Sequence, residues 1–241
     1  PVVNRPLLGI IIEQLRGMGT RGIIINAHHL AEQVERFVGG EQWGTEVEVR
    51  GEPRILGTGG GIKNCADFLH DVPFFLVVNA DIYHTFDLSP AIHYHREAQN
   101  LATLVLCDHP RFNQVEIDTE GRIVSIRGQS IQKPVAPSQM LTFTGIHIIS
   151  TELLNSMPST GFFGIMELYM ELAARGEAIR GYHMHEGYWQ DIGSVEDYRA
   201  LHQNLVGEQG EPMVHPEAHV EETVQLEGYV CVGKGSCINE G

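Results

Sequence analysis

Phe74-Phe75-Leu76-Val77-Val78-Asn79-Ala80-Asp81 decides the fold class: five apolar residues in a row, then a short turn that closes on an acid. A continuous apolar run of this length reads as a strand buried on both faces. Related runs occur at Ile23-Ile24-Ile25, Val47 to Val49, Ala102 to Cys107 and Leu141 to Ile149. Between them lie segments with helical periodicity: Leu7 to Leu15, Leu30 to Val38, Ile62 to Leu69, a stretch capped by Asp87 or Ser89, Glu167 to Ala174, and Val195 to Val206. Asn4 is the expected cap of the first helix, with Pro6 in its first turn. Val115-Glu116-Ile117 and Ile123-Val124-Ser125-Ile126, joined at Glu120-Gly121, predict a hairpin. The rhythm predicts an α/β fold: a Rossmann-like, doubly wound, mainly parallel (mixed) sheet with helices on both faces.

The tail obeys a different period. Val214, Val220, Leu226, Val232 and Ile238 recur at every sixth residue, and Ala218, Val224, Val230 and Ser236 follow the first four of them at a fixed offset. A six-residue period fits neither a helix nor an ordinary strand. It predicts the start of a left-handed hexapeptide β-helix. The expected division is a nucleotide-handling domain over 1–207 and a partial β-helix over 208–241.

A chain of 241 residues with 42% hydrophobic content is long enough for a full α/β core. Its net charge of -15 argues against nucleic acid and anionic membranes as partners. The four cysteines form no CxxC pair, so reduced, mostly buried thiols are expected. No apolar run is long enough to span a bilayer and no secretory pattern stands at the start, which gives a cytoplasmic expectation. His93 and His95 fall on a predicted helix, where residues two apart diverge. His183 and His185 share a strand face with no further ligand marked, so a transition-metal site is disfavoured at both pairs.

The chemistry gathers at two acids. Asp81 ends the first run quoted, and Asp191 lies in Tyr188-Trp189-Gln190-Asp191-Ile192-Gly193, just before a helix. Carboxylates at strand ends suit a hard divalent cation, because Mg²⁺ takes one or two carboxylates together with substrate phosphates. Leu56-Gly57-Thr58-Gly59-Gly60-Gly61 precedes the predicted helix from Ile62. Glycines there let backbone N–H groups approach a ligand, and a helix N-terminus favours anions. The spacing is neither a P-loop nor a dinucleotide fingerprint.

Taken together, Asn4-Arg5-Pro6-Leu7, Asn26-Ala27-His28-His29, the Gly57 to Gly61 run, Asn79-Ala80-Asp81 and Trp189-Gln190-Asp191-Ile192-Gly193 resemble the sugar-1-phosphate nucleotidyltransferases. Within that family the chain is most similar to mannose-1-phosphate guanylyltransferase-like proteins and N-acetylmuramate-1-phosphate uridylyltransferases. The resemblance covers nearly the whole chain and implies attack of a sugar-1-phosphate on the α-phosphorus of an NTP, GTP or UTP, with release of pyrophosphate. It implies that Asp81 and Asp191 are the catalytic, Mg²⁺-holding acids. It assigns the nucleotide to Asn26, Glu52, Leu56, Gly57, Thr58, Gly59, Gly60, Asn79 and Ala80, with Glu52 at the base edge. Lys133, Thr144 and Gly145 are assigned to the sugar phosphate.

Three departures from the family pattern stand out. The signature loop Gly-x-Gly-Thr-Arg-Leu with its Pro-Lys-Pro segment is absent from 1–241, and Pro1-Val2-Val3-Asn4 resembles the residues that follow it. Gln132-Lys133-Pro134 stands where many members have Glu-Lys-Pro, and Gln114 where relatives often have glycine. The rival expectation is a non-catalytic regulatory or binding subunit of the same fold that lacks the triphosphate loop. A metal-dependent glycosyltransferase is disfavoured, since Asn79-Ala80-Asp81 lacks the first acid of an Asp-x-Asp pair. Hexapeptide coils often pack on copies of themselves, so a homo-oligomer is one expected arrangement.

Overall fold

The computed structural model describes residues 1–239. The first half runs α1 (Leu7–Gly17), β1 (Gly22–Ala27), α2 (Ala31–Gly39), β2 (Glu46–Gly51), α3 (Gly57–Asn64), α4 (Ala66–Leu69), β3 (Phe74–Val78), β4 (Ile82–His84), α5 (Ser89–Glu97) and β5 (Ala102–Cys107). The second half runs β6 (Val115–Asp118), β7 (Ile123–Ile126), β8 (Gln129–Ser130), β9 (Ser138–Ser150), a 3₁₀ turn at Thr151–Ser156, α6 (Ile165–Ala174), β10 (Ile179–His183), β11 (Trp189–Asp191) and α7 (Val195–Gln209). Four two-residue strands follow: β12 (Met213–Val214), β13 (His219–Val220), β14 (Cys231–Val232) and β15 (Cys237–Ile238).

β9 organises the main, seven-stranded sheet. Its C-terminal half lies between β3 and β5, antiparallel to both, and β10 adds parallel to β5. Its N-terminal half pairs with β6, which continues into the β7 and β8 hairpin strands. The sheet is therefore mixed, as expected. Parallel pairing, expected to predominate, is confined among the longer strands to β1 with β2 and β5 with β10. Since β3, β5 and β10 run the same way, their C-terminal ends share one edge of the sheet. Active sites of open α/β sheets lie at such an edge.

Two buried layers cover the sheet. Leu104, Leu106, Phe75 and Ile149 face α3 and α6 residues such as Ile62, Leu168 and Tyr169. Val105, Cys107, Ile146 and Ile148 pack with Leu88 and Ala91 of the α5 region and with Trp189. A smaller core of Ile12, Ile23 and Val38 holds α1 and α2 against β1 and β2.

Two local expectations are corrected. Asn4 does not cap α1, which has no side-chain cap. Its φ of 69° is left-handed, and its Nδ2 donates to the Val232 carbonyl of β14 at 2.9 Å. The glycine run is also not a loop: α3 starts at Gly57, and the predicted helix from Ile62 breaks at Cys65 into α3 and α4. The hairpin turns at Gly121 with φ 74°, as expected. All four cysteines are free; Cys65 and Cys107 are buried, while Cys237 is exposed.

In the tail, Met213 pairs with Cys231 and His219 with Cys237, both in parallel. Each pair joins residues three six-residue periods apart. Among the described residues, no helix is long and apolar enough to cross a membrane.

Candidate active site

Asp81 and Asp191 are brought together by a ribbon that no local signal marks. β4 and β11 are antiparallel, with Asp191 opposite Ile82 and Trp189 opposite His84. Just beyond the ribbon, the Ile192 N–H donates to the Asp81 carbonyl at 2.9 Å. Asp191 Oδ1 accepts the Gly193 N–H at 2.9 Å, an Asx-type turn that orients the carboxylate. Neither acid has a Lys, Arg or His partner among the described residues. Crowding by protein pushes the Asp81 carboxyl above its usual pKa, and the nearby Asp191 charge adds to the rise.

The donor chemistry of two carboxylates fits a hard divalent cation. Among the described residues, no cluster of three or more His, Cys, Asp or Glu is arranged to hold a metal. Mg²⁺ needs no such cage, because one or two carboxylates suffice when phosphates and water complete the octahedron. Two neighbouring acids without a basic partner among the described residues fit that requirement.

Asn79 and Ala80 stand between β3 and Asp81. The Asn79 N–H donates to the Gly145 carbonyl at 3.0 Å. A Cβ on Gly145 would meet Asn79 Nδ2 at 3.0 Å, and the glycine has φ 81°. On the other side of β9, the β5–β9 register shifts between Leu104 and Leu106, which leaves Thr144 and Gly145 in a bulge. Thr144 is fully buried. Its Oγ1 donates to the Val105 carbonyl at 2.8 Å, and its carbonyl accepts the Trp189 indole N–H at 2.9 Å. The threonine thus braces the sheet, and of the two expected sugar-side residues Gly145 packs against Asn79, two residues before Asp81.

The glycines of α3 are explained by packing. A Cβ on Gly59 would sit 2.2 Å from the Phe163 ring, and one on Gly60 2.7 Å from the Gly161 carbonyl. One on Gly61 would meet Asn26 Nδ2 at 2.7 Å and Glu52 Oε1 at 2.9 Å. The Gly59 and Gly60 N–H groups donate to the Phe163 carbonyl at 3.2 and 3.4 Å, so these two donors are already engaged within the protein. Leu56, Gly57 and the exposed Thr58 form the open start of the helix.

Glu52 is buried, and both of its carboxylate oxygens are in use. Oε1 accepts from Asn26 Nδ2 at 3.0 Å and Oε2 from the Leu56 N–H at 3.3 Å. Asn26 and Glu52 therefore form one unit that ties the β1 end to the start of α3. Lys133 is exposed in the loop between β8 and β9, with no ion pair among the described residues. Gln114 lies at the start of β6, where its N–H donates to the Leu141 carbonyl at 2.9 Å.

Sequence reasoning missed the surroundings of Asp191. Trp189, two residues before it, packs edge-on against Phe112. Asp197, six residues after it, is buried and accepts from Arg111 Nη1 at 2.5 Å. Ser194-Val195-Glu196-Asp197 is a capping pattern legible in the sequence, whereas the Arg111 contact spans distant loops and carries no such sign.

Known proteins share this architecture. The chain is 26% identical to a UTP–glucose-1-phosphate uridylyltransferase of Synechocystis, over all of this chain and 69% of that protein. It is 28% identical to a mannose-1-phosphate guanylyltransferase of Mycobacterium tuberculosis, over all of this chain and 70% of that protein. The crystal structure of HddC from Yersinia pseudotuberculosis complexed with GMP-PN matches with TM-score 0.69 at 22% identity, over 85% of this chain and 88% of that one, which shows the common fold. The nucleotidyl transferase family model matches residues 1–208, and with the sheet edge that gathers Asp81, Asp191, Asn79 and Gly145, the chain belongs to that family.

Proposed function

We propose that the chain acts as a sugar-1-phosphate nucleotidyltransferase that joins an NMP to a sugar-1-phosphate. A phosphate oxygen of the sugar-1-phosphate forms a bond to the α-phosphorus of the NTP. The bond from that phosphorus to the bridging oxygen breaks, and pyrophosphate leaves with the electron pair. No covalent enzyme intermediate is required, so the work of the protein is alignment and charge neutralisation. Asp81 and Asp191 would hold Mg²⁺, which when bound neutralises phosphate charge.

The observation that carries this reading is the meeting of two unpaired carboxylates, Asp81 and Asp191, at the edge where β3 and β5 end. Asn79 and Ala80 border the nucleoside, with Leu56, Gly57, Thr58, Gly59 and Gly60 on its far side. In this arrangement Asn26 and Glu52 set the position of the helix start as a unit. Gly145 and Lys133 serve the sugar phosphate. GTP and UTP are the favoured nucleotides, in keeping with the guanylyltransferase and uridylyltransferase names of the relatives. The reaction belongs with cytoplasmic NTP pools, and the eighteen-residue offset of the tail strands supports the first coil of a left-handed hexapeptide β-helix. Such a coil suits packing against a second copy.

The test is pyrophosphate release with Mg²⁺, a panel of NTPs and a panel of sugar-1-phosphates. Release with GTP or UTP that Asp81→Ala abolishes is the expected result. Activity unchanged in Asp81→Ala removes the assignment.

A further inference from the structure

Asp191 is braced on both sides by a single loop. The loop from Asp108 to Asn113 leaves the end of β5 and supplies two neighbouring side chains, Arg111 and Phe112. On the C-terminal side of Asp191, the Arg111 guanidinium grips Asp197, with Nη1 2.5 Å from Oδ1 and Nη2 3.4 Å from Oδ2. Asp197 also accepts from Ser194 Oγ at 2.6 Å and returns its N–H to that oxygen at 3.1 Å. The Asp197 side chain is 7% exposed, while Arg111 is 60% exposed.

On the N-terminal side, the Arg111 guanidinium lies 4.7 Å from the centre of the Phe112 ring. Phe112 packs edge-on against Trp189 at 5.9 Å between centroids. Trp189 is itself pinned to Thr144 by its indole N–H. Asp191 therefore hangs between two fixed points, Trp189 and the Ser194–Asp197 cap; Arg111 grips the cap directly and meets Trp189 only through the Phe112 ring.

An exposed ion pair on a helix end would add little to stability. Here the carboxylate is buried and its partner comes from another part of the chain. That is the arrangement that fixes a neighbouring backbone rather than decorating a surface. We propose that Arg111 and Asp197 are positioning residues for Asp191, holding its carboxylate where the metal of the nucleotide complex is bound. The proposal rests on the reading of Asp81 and Asp191 as metal-holding acids.

The test measures Mn²⁺ binding to the full chain by electron paramagnetic resonance in the presence of GTP or UTP, with nucleotide binding without metal recorded alongside. Loss of an outer-shell support typically weakens metal binding by about 10-fold or more. Arg111→Ala and Asp197→Asn are each expected to weaken Mn²⁺ by about 10-fold and to leave metal-free nucleotide binding unchanged. Arg111→Lys keeps the charge without the fork and should recover only part of the loss. The double variant Arg111→Ala with Asp197→Asn should be no weaker than either single one, since the pair acts as a unit. Wild-type Mn²⁺ affinity in the folded Arg111→Ala or Asp197→Asn protein overturns the proposal, and so do additive losses in the double variant. Asp81→Asn separates the two levels: wild-type Mn²⁺ affinity there removes the metal reading itself, whatever Arg111 does.

Discussion

Mild acid should destabilise this protein, because burial holds three of its histidines toward the neutral form. His147 is fully buried; its Nδ1 meets the Tyr169 hydroxyl at 2.6 Å and its Nε2 has no partner among the described residues. His84 accepts the Phe86 N–H on Nδ1 at 3.2 Å. His95 lies in a closed relay. Asn100 donates to Thr103 Oγ1, that hydroxyl faces His95 Nδ1 at 2.9 Å, and His95 Nε2 faces Ser150 Oγ. Burial lowers the pKa of His84 and His95 to about 4 and that of His147 to about 3. In the unfolded chain each histidine titrates near ~6.5. A folded pKa below the unfolded one means stability that is fully present above the unfolded value. It is lost as pH falls from there toward the folded values. Each site should lose ~1.4 kcal/mol between pH ~7.5 and ~5.5, so the three together lose ~4 kcal/mol. That is a large share of a typical folding stability of ~5–15 kcal/mol. Asp118 and Asp197, whose carboxyls are held below their ordinary values, add to the loss only at lower pH. Urea denaturation at these two pH values measures the difference directly. Replacing His147 with Phe should remove about a third of the pH dependence, whatever it does to absolute stability. A change below ~1 kcal/mol across the window would refute the claim that these rings are held neutral.

Three further outcomes follow from contacts on the page. Gly59→Ala drives a methyl into the Phe163 ring, and urea denaturation should show a loss of ~2 kcal/mol. Phe163→Leu in the same chain should recover part of it, and independent, additive effects would contradict the contact. Trp189→Phe deletes the indole N–H from the buried Thr144 carbonyl, which should cost ~1–3 kcal/mol in the same assay. Asn4→Ala removes the bond to the Val232 carbonyl and places alanine at a left-handed φ. Hydrogen exchange of the Met213 and His215 amides, which donate across to Val230 and Val232, should speed up by several-fold.

The strands that define the sheet were legible because burial on both faces leaves a nearly unbroken apolar run, as in Phe74 to Val78 and Ala102 to Cys107. The two acids were legible for a related reason, since each interrupts an apolar context where a carboxylate has no packing role. α3 was not. Gly59, Gly60 and Gly61 argue against a helix by propensity, and only the approach of Phe163, Gly161 and the Asn26–Glu52 unit requires them there. Asn4 carried a good capping residue type, but the tail strand claimed its side chain. The pairing that joins Asp81 to Asp191 sets residues of β4 against residues of β11 far along the chain. Such register is a property of tertiary packing, and nothing local to either segment encodes it.

One strand accounts for the geometry of both halves of the cleft. The bulge in β9 turns two adjacent carbonyls in different directions: Gly145 receives the Asn79 N–H, and Thr144 receives the Trp189 indole. Asn79 leads in two residues to Asp81, and Trp189 leads in two residues to Asp191. Each acid is thus the same distance along the chain from an anchor on β9, and the anchors are neighbours. The Ile192 N–H to the Asp81 carbonyl closes the circuit on the other side. Separating the two backbone segments that carry the acids would require breaking that bond together with an anchor in the sheet. A pair of like charges would otherwise drift apart in the absence of a cation. A pair of acids held on paired strands in this way keeps its backbone spacing, and the cost of bringing the two acids together is met during folding.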